Sequence, residues 1–306
     1  MKKNSKQKFN TILNSILAII LIALGINILI IQKSIGAVSW WLLYPFALIG
    51  AIILVIITIM LIVDIIKKRR VKFSKIITLV LCAVIAIPNF WLFGLFQIAY
   101  PASIKKASPF ISIRSPFNEE VIIGWGGDEL KYNYPHSLVP CEKWAYDILK
   151  LPANTGSSKL EDYGIYNKDV VAPISGTVVA AYDKEADIAP NTEEFKTQAG
   201  NYVYIKIDKT GTYLLMNHFK QGTLLVKEGD HVDEGTLIGK VGNSGSTSEP
   251  HLHIHHQKQD PSKTSMFLAE PLPLYFRDID GPTFPKGGLR MEDGVKYLSG
   301  NTIAPK

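Results

Sequence analysis

The stretch Gly242-Asn243-Ser244-Gly245-Ser246-Thr247-Ser248-Glu249-Pro250-His251-Leu252-His253-Ile254-His255-His256 gathers four of the chain's seven histidines. Gly242, Gly245 and Pro250 interrupt regular structure, so the segment reads as a loop that delivers a strand. On such a strand a period of 2 places His251, His253 and His255 on one face, with Leu252 and Ile254 on the other. Neighbouring imidazoles on one face suit a metal ion, although alternating histidines also make an ordinary polar face. Upstream, His136 lies in Asn133-Tyr134-Pro135-His136 and is followed by Trp144-Ala145-Tyr146-Asp147. Asp147 sits among residues that favour strands, where a buried carboxylate would need a partner. His136, Asp147 and His253 offer two nitrogens and one oxygen, a set that suits zinc with its fourth position left for water. Read from its own neighbours alone, Asp147 is better explained as a surface strand residue or a turn cap.

These residues need a rigid frame, and the chain after Ser115 reads as mainly β. Short β-branched or alternating runs, Glu120–Ile123, Gly176–Ala181, Asn201–Ile207, Thr212–Met216 and Thr236–Val241, are separated by Gly, Pro, Asn or Asp turns. No long helical period appears in this half. The expectation is a two-sheet β sandwich or barrel-like domain over residues 115–278. Residues 279–306, rich in Gly and Pro, read as loops and a tail, with Glu270–Phe276 adding an edge strand.

The first hundred residues are a different material. Apolar runs over about 12–31, 40–66 and 76–99 each reach the roughly 20 residues that cross a hydrocarbon core of about 30 Å. This predicts an α-helical region of three membrane spans, with a linker over 101–114. Trp40, Trp41, Tyr44, Trp91 and Tyr100 near the run ends fit an interfacial aromatic belt. A cleaved signal peptide is a poorer reading of the first run, because it is too long and lacks a small-residue cleavage site.

The chain carries a formal net charge of +6. Its first hundred residues carry +10 of that, leaving −4 for the remainder. The basic balance therefore belongs to the membrane-proximal segments and gives no support to a nucleic-acid partner. Lysines cluster before the first run and between Lys67 and Lys75, whereas the connection Gln32–Ser39 has Lys33 alone. By the positive-inside rule the N-terminus and the Lys67–Lys75 loop face the cytoplasm, and everything after about Tyr100 lies outside. The two cysteines, Cys82 in the third run and Cys141 in the outer half, are too far apart in environment to suggest a disulfide.

Several ordered stretches resemble one family. Trp125-Gly126-Gly127-Asp128, Asn133 to Asp147, Val171 to Val178, Gly200-Asn201-Tyr202-Val203, Met216-Asn217-His218-Phe219 and Gly242 to His253 resemble, in this order, the motifs of lysostaphin-type (LytM-like) zinc metallopeptidases. The resemblance spans about residues 118–260. It implies the duplicated hybrid motif fold and a groove that cleaves peptide bonds in bacterial peptidoglycan. By position it implies His136, Asp147 and His253 as zinc ligands and His218 and His251 as catalytic, non-ligand histidines. All five positions are filled. Two departures stand out: Pro135 intervenes between Tyr134 and His136, and the interval from His136 to Asp147 is longer than in many relatives.

The resulting expectation is a multi-pass cell-membrane protein whose outer domain is a zinc endopeptidase acting on peptidoglycan. The alternative is a metal-containing wall-binding or regulatory domain that activates another hydrolase. A carrier-domain reading of Val226–Val241, with its Glu228-Gly229-Asp230 turn, fails because the modified Lys of a Met-Lys turn is absent. His231 is expected in solvent, His255 along the groove face and His256 pointing away. Asn201 and Asn243 are expected to orient loops.

Overall fold

The computed structural model describes residues 2–293 and 295–306 and divides into two compact units, Met1–Pro101 and Ala102–Lys306. In the first unit α1 spans Lys2–Ile26, α2 Lys33–Ile66 and α3 Phe73–Ala86, with a short helix α4 over Asn89–Leu92. Among the described residues three stretches are long and apolar enough to cross a membrane: Lys8–Ile31, Lys33–Ile66 and Phe73–Trp91. The second therefore begins earlier than the sequence suggests, and Gln32 alone separates it from the first. The third ends earlier. Pro88, which has no N–H to donate to a helix, lies between α3 and α4, and beyond Phe93 the chain leaves helical geometry.

Helix packing in this unit uses small and polar residues. A Cβ on Gly50 would meet Ile85 Cγ2 at 2.5 Å, so its glycine lets α2 and α3 approach closely. Asn27 donates to Ser39 Oγ at 3.0 Å and Asn89 to the Ala47 carbonyl at 2.9 Å. The expected aromatic belt is in part a cluster. Trp40 stacks on Trp91 at 5.4 Å and meets Tyr100 edge-on at 5.5 Å, and both Trp40 and Tyr100 are buried.

In the second unit the main sheet has ten strands. Its central members are β1 (Val121–Trp125), β2 (Tyr146–Leu149), β3 (Gly176–Tyr182), β4 (Asn201–Ile207), β5 (Tyr213–Phe219), β6 (Leu252–Gln257) and β7 (Thr302–Pro305). They lie in the order β7-β1-β2-β6-β5-β4-β3, and all these neighbours pair antiparallel. Two-residue strands, Ile279–Asp280 and His231–Val232, form the outer edges, so the sheet stays open and the barrel-like expectation gives way to an open sheet. Smaller two-stranded sheets join Ile111–Ile113 to Leu274–Phe276 and Asp169–Val171 to Leu237–Lys240.

One face of the main sheet supplies the core. Ile123, Ile148, Val203, Ile205, Leu214, Met216, Leu252 and Ile254 are fully buried in one apolar cluster, each contributing on the order of 2 kcal/mol by leaving water. The alternation that puts these residues inward turns their neighbours to the opposite, groove-lining face.

Two segments depart from the sequence reading. The end of the supposed linker, Ile111–Ile113, is a strand of this unit. The supposed tail returns to the main sheet, where Ile303 pairs with Val121 and is fully buried. A Cβ on Gly300 would lie 1.7 Å from the Ile123 carbonyl oxygen, so only glycine admits that return. A three-residue apolar signal amid glycine and proline was too short to read as a strand.

Candidate metal centre and its groove

The register of the sheet builds the centre. His253 on β6 lies opposite Asp147 on β2 and, on its other side, opposite Asn217 on β5. Trp125 on β1 lies opposite Asp147, which extends the row by one strand. Because alternate residues share a face, these side chains emerge together on the face away from the core. They line a groove of about 740 Å³ that also takes in His136, His218, His251 and His255.

His136 reaches the row from outside the sheet. It sits on a short helix, α5 (Tyr134–Ser137), in which Pro135 occupies the first turn. Proline is accepted there because its missing N–H would have no helical partner. Buried Asn133, just before this helix, fixes the segment: its Nδ2 lies 3.1–3.3 Å from the carbonyls of Gly127, Lys143 and Ala145. Its Oδ1 accepts from His136 Nδ1 at 2.8 Å, which turns Nε2 inward. The longer His136-to-Asp147 interval is taken up by α5 and a 3-10 turn over Pro140–Glu142.

Asp147 Oδ1 is the meeting point. His136 Nε2 lies 3.2 Å from it, His253 Nδ1 3.1 Å and His251 Nε2 3.4 Å. Candidate ligand atoms of His136, Asp147 and His253 all fall within 4.8 Å of one another, and all three residues are buried. The donor set fits a zinc site, and so do its supports. A ligating histidine commonly donates its other ring N–H to an oriented acceptor. Here Asn133 serves His136, and His255 Nδ1, 2.9 Å from His253 Nε2, serves His253.

His218 and His251 flank the trio with ring centroids 4.7 Å apart. His218 is positioned by a bulge. Strict alternation on β5 would send it to the face opposite Asn217, but the register between β4 and β5 slips at Asn201/Tyr202, leaving His218 as the extra residue with φ +69°. Both Asn217 and His218 therefore line the groove. His218 Nδ1 donates to the Ser244 carbonyl at 2.7 Å and His251 Nδ1 to the Glu249 carbonyl at 2.8 Å, which directs Nε2 of each ring into the groove. Gly200 makes the first contact possible: it has φ +62°, and a Cβ there would lie 2.2 Å from the Ser244 oxygen.

Electrostatics separate these groups. Burial disfavours the charge on Asp147, yet His136 and His251 hold its carboxyl well below the usual range. Burial likewise opposes protonation of His136 and His251, but the neighbouring Asp147 outweighs it and holds both above the ordinary histidine value. His218 goes the other way, pushed well down by burial and by His251 and His253. Burial also raises the Cys141 thiol well above its normal value, so it stays protonated, and it lies outside the candidate metal groups.

The remaining histidines fall apart in role. His231 is exposed and pairs with Asp208 at 2.9 Å. His256 turns away from the groove toward Thr212 and the Pro273 carbonyl. Asn201 and Asn243 are fully buried and tie neighbouring loops, Asn201 to the Glu185 and Phe219 carbonyls and Asn243 to that of Ile188. Two participants escaped the sequence reading. Asn133 carried one signal, its three-residue spacing from His136. Asn217 stood in the Met216–Phe219 stretch only as a neighbour of His218; its Oδ1 is buried in the groove with no hydrogen-bond partner among the described residues.

Among known proteins, residues 161–264 match Peptidase family M23, a region that includes His218, His251 and His253 and begins after His136 and Asp147. The peptidoglycan DD-endopeptidase ShyC of Vibrio cholerae is 34% identical over 85 residues, which is 28% of this chain and 18% of that protein. The chain thus spans under a fifth of that relative's length. The catalytic domain of the antimicrobial peptidase lysostaphin from Staphylococcus simulans aligns at 21% identity and a TM-score of 0.30, covering 50% of this chain and 89% of that one. A zinc-containing peptidase from Vibrio cholerae aligns at 19% identity and a TM-score of 0.31, covering 48% and 36%.

Proposed function

We propose, for a chain that carries a lysostaphin-type region of Peptidase family M23, that its outer unit is a membrane-anchored, extracytoplasmic zinc endopeptidase that hydrolyses peptide bonds of bacterial peptidoglycan. The observation that carries this reading is the convergence of His136 Nε2 and His253 Nδ1 on Asp147 Oδ1, beside two further histidines whose Nε2 atoms face the same groove.

His136, Asp147 and His253 would hold the ion, which when bound supplies the Lewis acidity that makes water nucleophilic near neutral pH. The protein's own residues manage the protons. His218 and His251, whose Nε2 atoms both face the groove, can between them take a proton from the attacking water and pass one to the leaving amine. Both rings are locked by their Nδ1 bonds to backbone carbonyls, so neither has to reorient. Asn217 Oδ1 offers an unused acceptor next to His253 for an N–H of the bound peptide. The three apolar stretches would anchor the chain, and the basic residues before the first and after the second would keep those ends in the cytoplasm.

The test is release of new amino groups from purified peptidoglycan by the full-length chain in detergent. The expected result is release that a chelator abolishes and added zinc restores. Chelator-insensitive release would overturn the zinc mechanism. A chain that keeps its zinc yet releases nothing would be a wall-binding or regulatory protein instead.

A further inference from the structure

Beyond the metal centre the groove has a chemistry that cleavage alone does not call for. His253, His255 and Gln257, alternate residues of β6, line it in turn. His255 therefore stands roughly 7 Å from His253, the span of two residues of an extended peptide. From His255 the row across the sheet continues through Leu215 on β5 to Tyr204 on β4, and both line the groove. Beside His255 stands Glu142, in the 3-10 turn over Pro140–Glu142, with a carboxylate oxygen within 4.8 Å of a ring nitrogen of each of His253 and His255.

Two acceptors in this groove lack donors. Among the described residues the Glu142 carboxylate has no ion pair, whereas the adjacent Lys143 is engaged by Asp128 at 3.1 Å. Asn217 lies opposite His253 on β5 and is only 8% exposed, yet its Oδ1 has no partner among the described residues. The chain holds 33 lysines and arginines, but none is among the described residues that line the groove. Of the two carboxylates there, Asp147 is committed to the proposed ion, which leaves the charge of Glu142 unanswered. Acceptors placed this way call for a ligand that brings the donors.

We propose that the groove selects a wall peptide bearing an ammonium on an aliphatic stem about two residues from the scissile bond, with Glu142 as the specificity residue that takes the ammonium. The proposal rests on the hydrolase reading for the place of the scissile bond. A basic side chain is an apolar stem with a charged head. Leu215 and the half-buried ring of Tyr204 offer the stem an apolar bed, and Glu142 gives the head a charge-assisted hydrogen bond. Asn217 Oδ1 takes a backbone N–H of the same peptide, so one acceptor fixes the backbone while the other reads the side chain. A carboxylate in place of the ammonium would meet Glu142 with no lysine or arginine to offset it, and such repulsion discriminates as strongly as attraction.

The test uses purified peptidoglycan in two forms, as isolated and with its free amines acetylated, against full-length wild type and Glu142→Gln in detergent. Zinc content, release of new amines and sedimentation of the chain with the insoluble wall are measured on the same samples. Wild type should cleave the acetylated wall at least about tenfold less efficiently, through KM rather than kcat. Glu142→Gln should keep its zinc, cleave the native wall about as poorly as wild type cleaves the acetylated one, and be indifferent to acetylation. Mass spectra of the released peptides should place the free amine on a side chain; amines confined to chain termini would overturn the aliphatic stem. Equal cleavage of both walls by wild type, or an acetylation penalty that survives in Glu142→Gln, overturns the subsite and leaves the hydrolase reading standing. Weaker zinc in Glu142→Gln with the penalty unchanged does the same and makes Glu142 a counter-charge to the ion. If zinc-loaded wild type cleaves nothing but sediments with the native wall, and loses this on acetylation and in Glu142→Gln, the hydrolase reading falls and the subsite stands. Neither cleavage nor amine-dependent sedimentation sinks both.

Discussion

Three imidazole nitrogens within 3.1–3.4 Å of one carboxylate oxygen make Asp147 the residue on which the site turns. In the chain without an ion, protons on His136 and His251 balance the Asp147 charge, which is why both histidines are held above the ordinary value of 6.5. A metal ion held as proposed would have to displace the proton on His136, which would link its affinity to pH. The sign follows from the direction: as pH falls through the raised value of His136, a proton competes with the ion, while Asp147 stays ionised to far lower pH. Apparent zinc affinity should therefore weaken by about tenfold per pH unit, starting above the pH at which a free histidine would titrate. A competing chelating dye measures this, and an affinity flat across neutral pH would contradict it.

His218 and His251 should behave differently from the ligands. His218→Ala or His251→Ala should keep the tight zinc and lose about 10²–10⁴-fold in turnover, the usual worth of a positioned proton carrier. Loss of metal with full activity per remaining ion would reverse the assignment. At this scale the sequence was legible where residues lie close together: period 2 places His251, His253 and His255 on one face without further help. It was not legible for Asn133 and Asn217, whose roles depend on carbonyls and strands far away in the chain.

Elements explain why the five site residues meet. All five strands expected from β-branched runs return with nearly the same bounds, as Val121–Trp125, Gly176–Tyr182, Asn201–Ile207, Tyr213–Phe219 and Leu237–Lys240. What alternation cannot show is where it fails. The bulge at His218 reverses one side chain, and it survives because Gly200 and Gly245 let two backbones touch. Gly200→Ala would press a Cβ onto the Ser244 carbonyl that holds His218 Nδ1, in a backbone conformation that alanine avoids. The expected cost is on the order of 1–3 kcal/mol of stability, with activity falling further than stability alone explains. Chemical denaturation and a turnover assay on the same samples check this; unchanged values for both would show that the close approach is unimportant. The C-terminal strand Thr302–Pro305 is the opposite case, an element with hardly any local signal that is specified by its pairing with β1.

At the scale of the whole molecule, two compact units divide the work between an apolar helical region and a β unit that carries the site. The charge division, +10 in the first hundred residues against −4 in the rest, predicts the side on which the β unit lies. Protease added outside intact, wall-free cells should digest residues after about 102, while a tag at the N-terminus stays protected. Protection of the β unit would reverse the orientation and remove peptidoglycan from its reach. Composition made this division readable, since hydropathy needs no knowledge of partners. Helix ends were less readable, because the break at Pro88 and the single-residue turn at Gln32 are local geometry inside continuous apolar runs.

The central claim is that His136, Asp147 and His253 together hold a zinc ion that the chain needs for peptide-bond cleavage. The most direct measurement compares wild type with Asp147→Asn in the full-length chain, recording zinc retained after gel filtration and amine release from peptidoglycan on the same preparations. Wild type should retain tightly bound zinc and cleave, and Asp147→Asn should do neither while remaining folded. A folded Asp147→Asn chain that keeps its tight zinc, or that cleaves at the wild-type rate without it, would contradict the account.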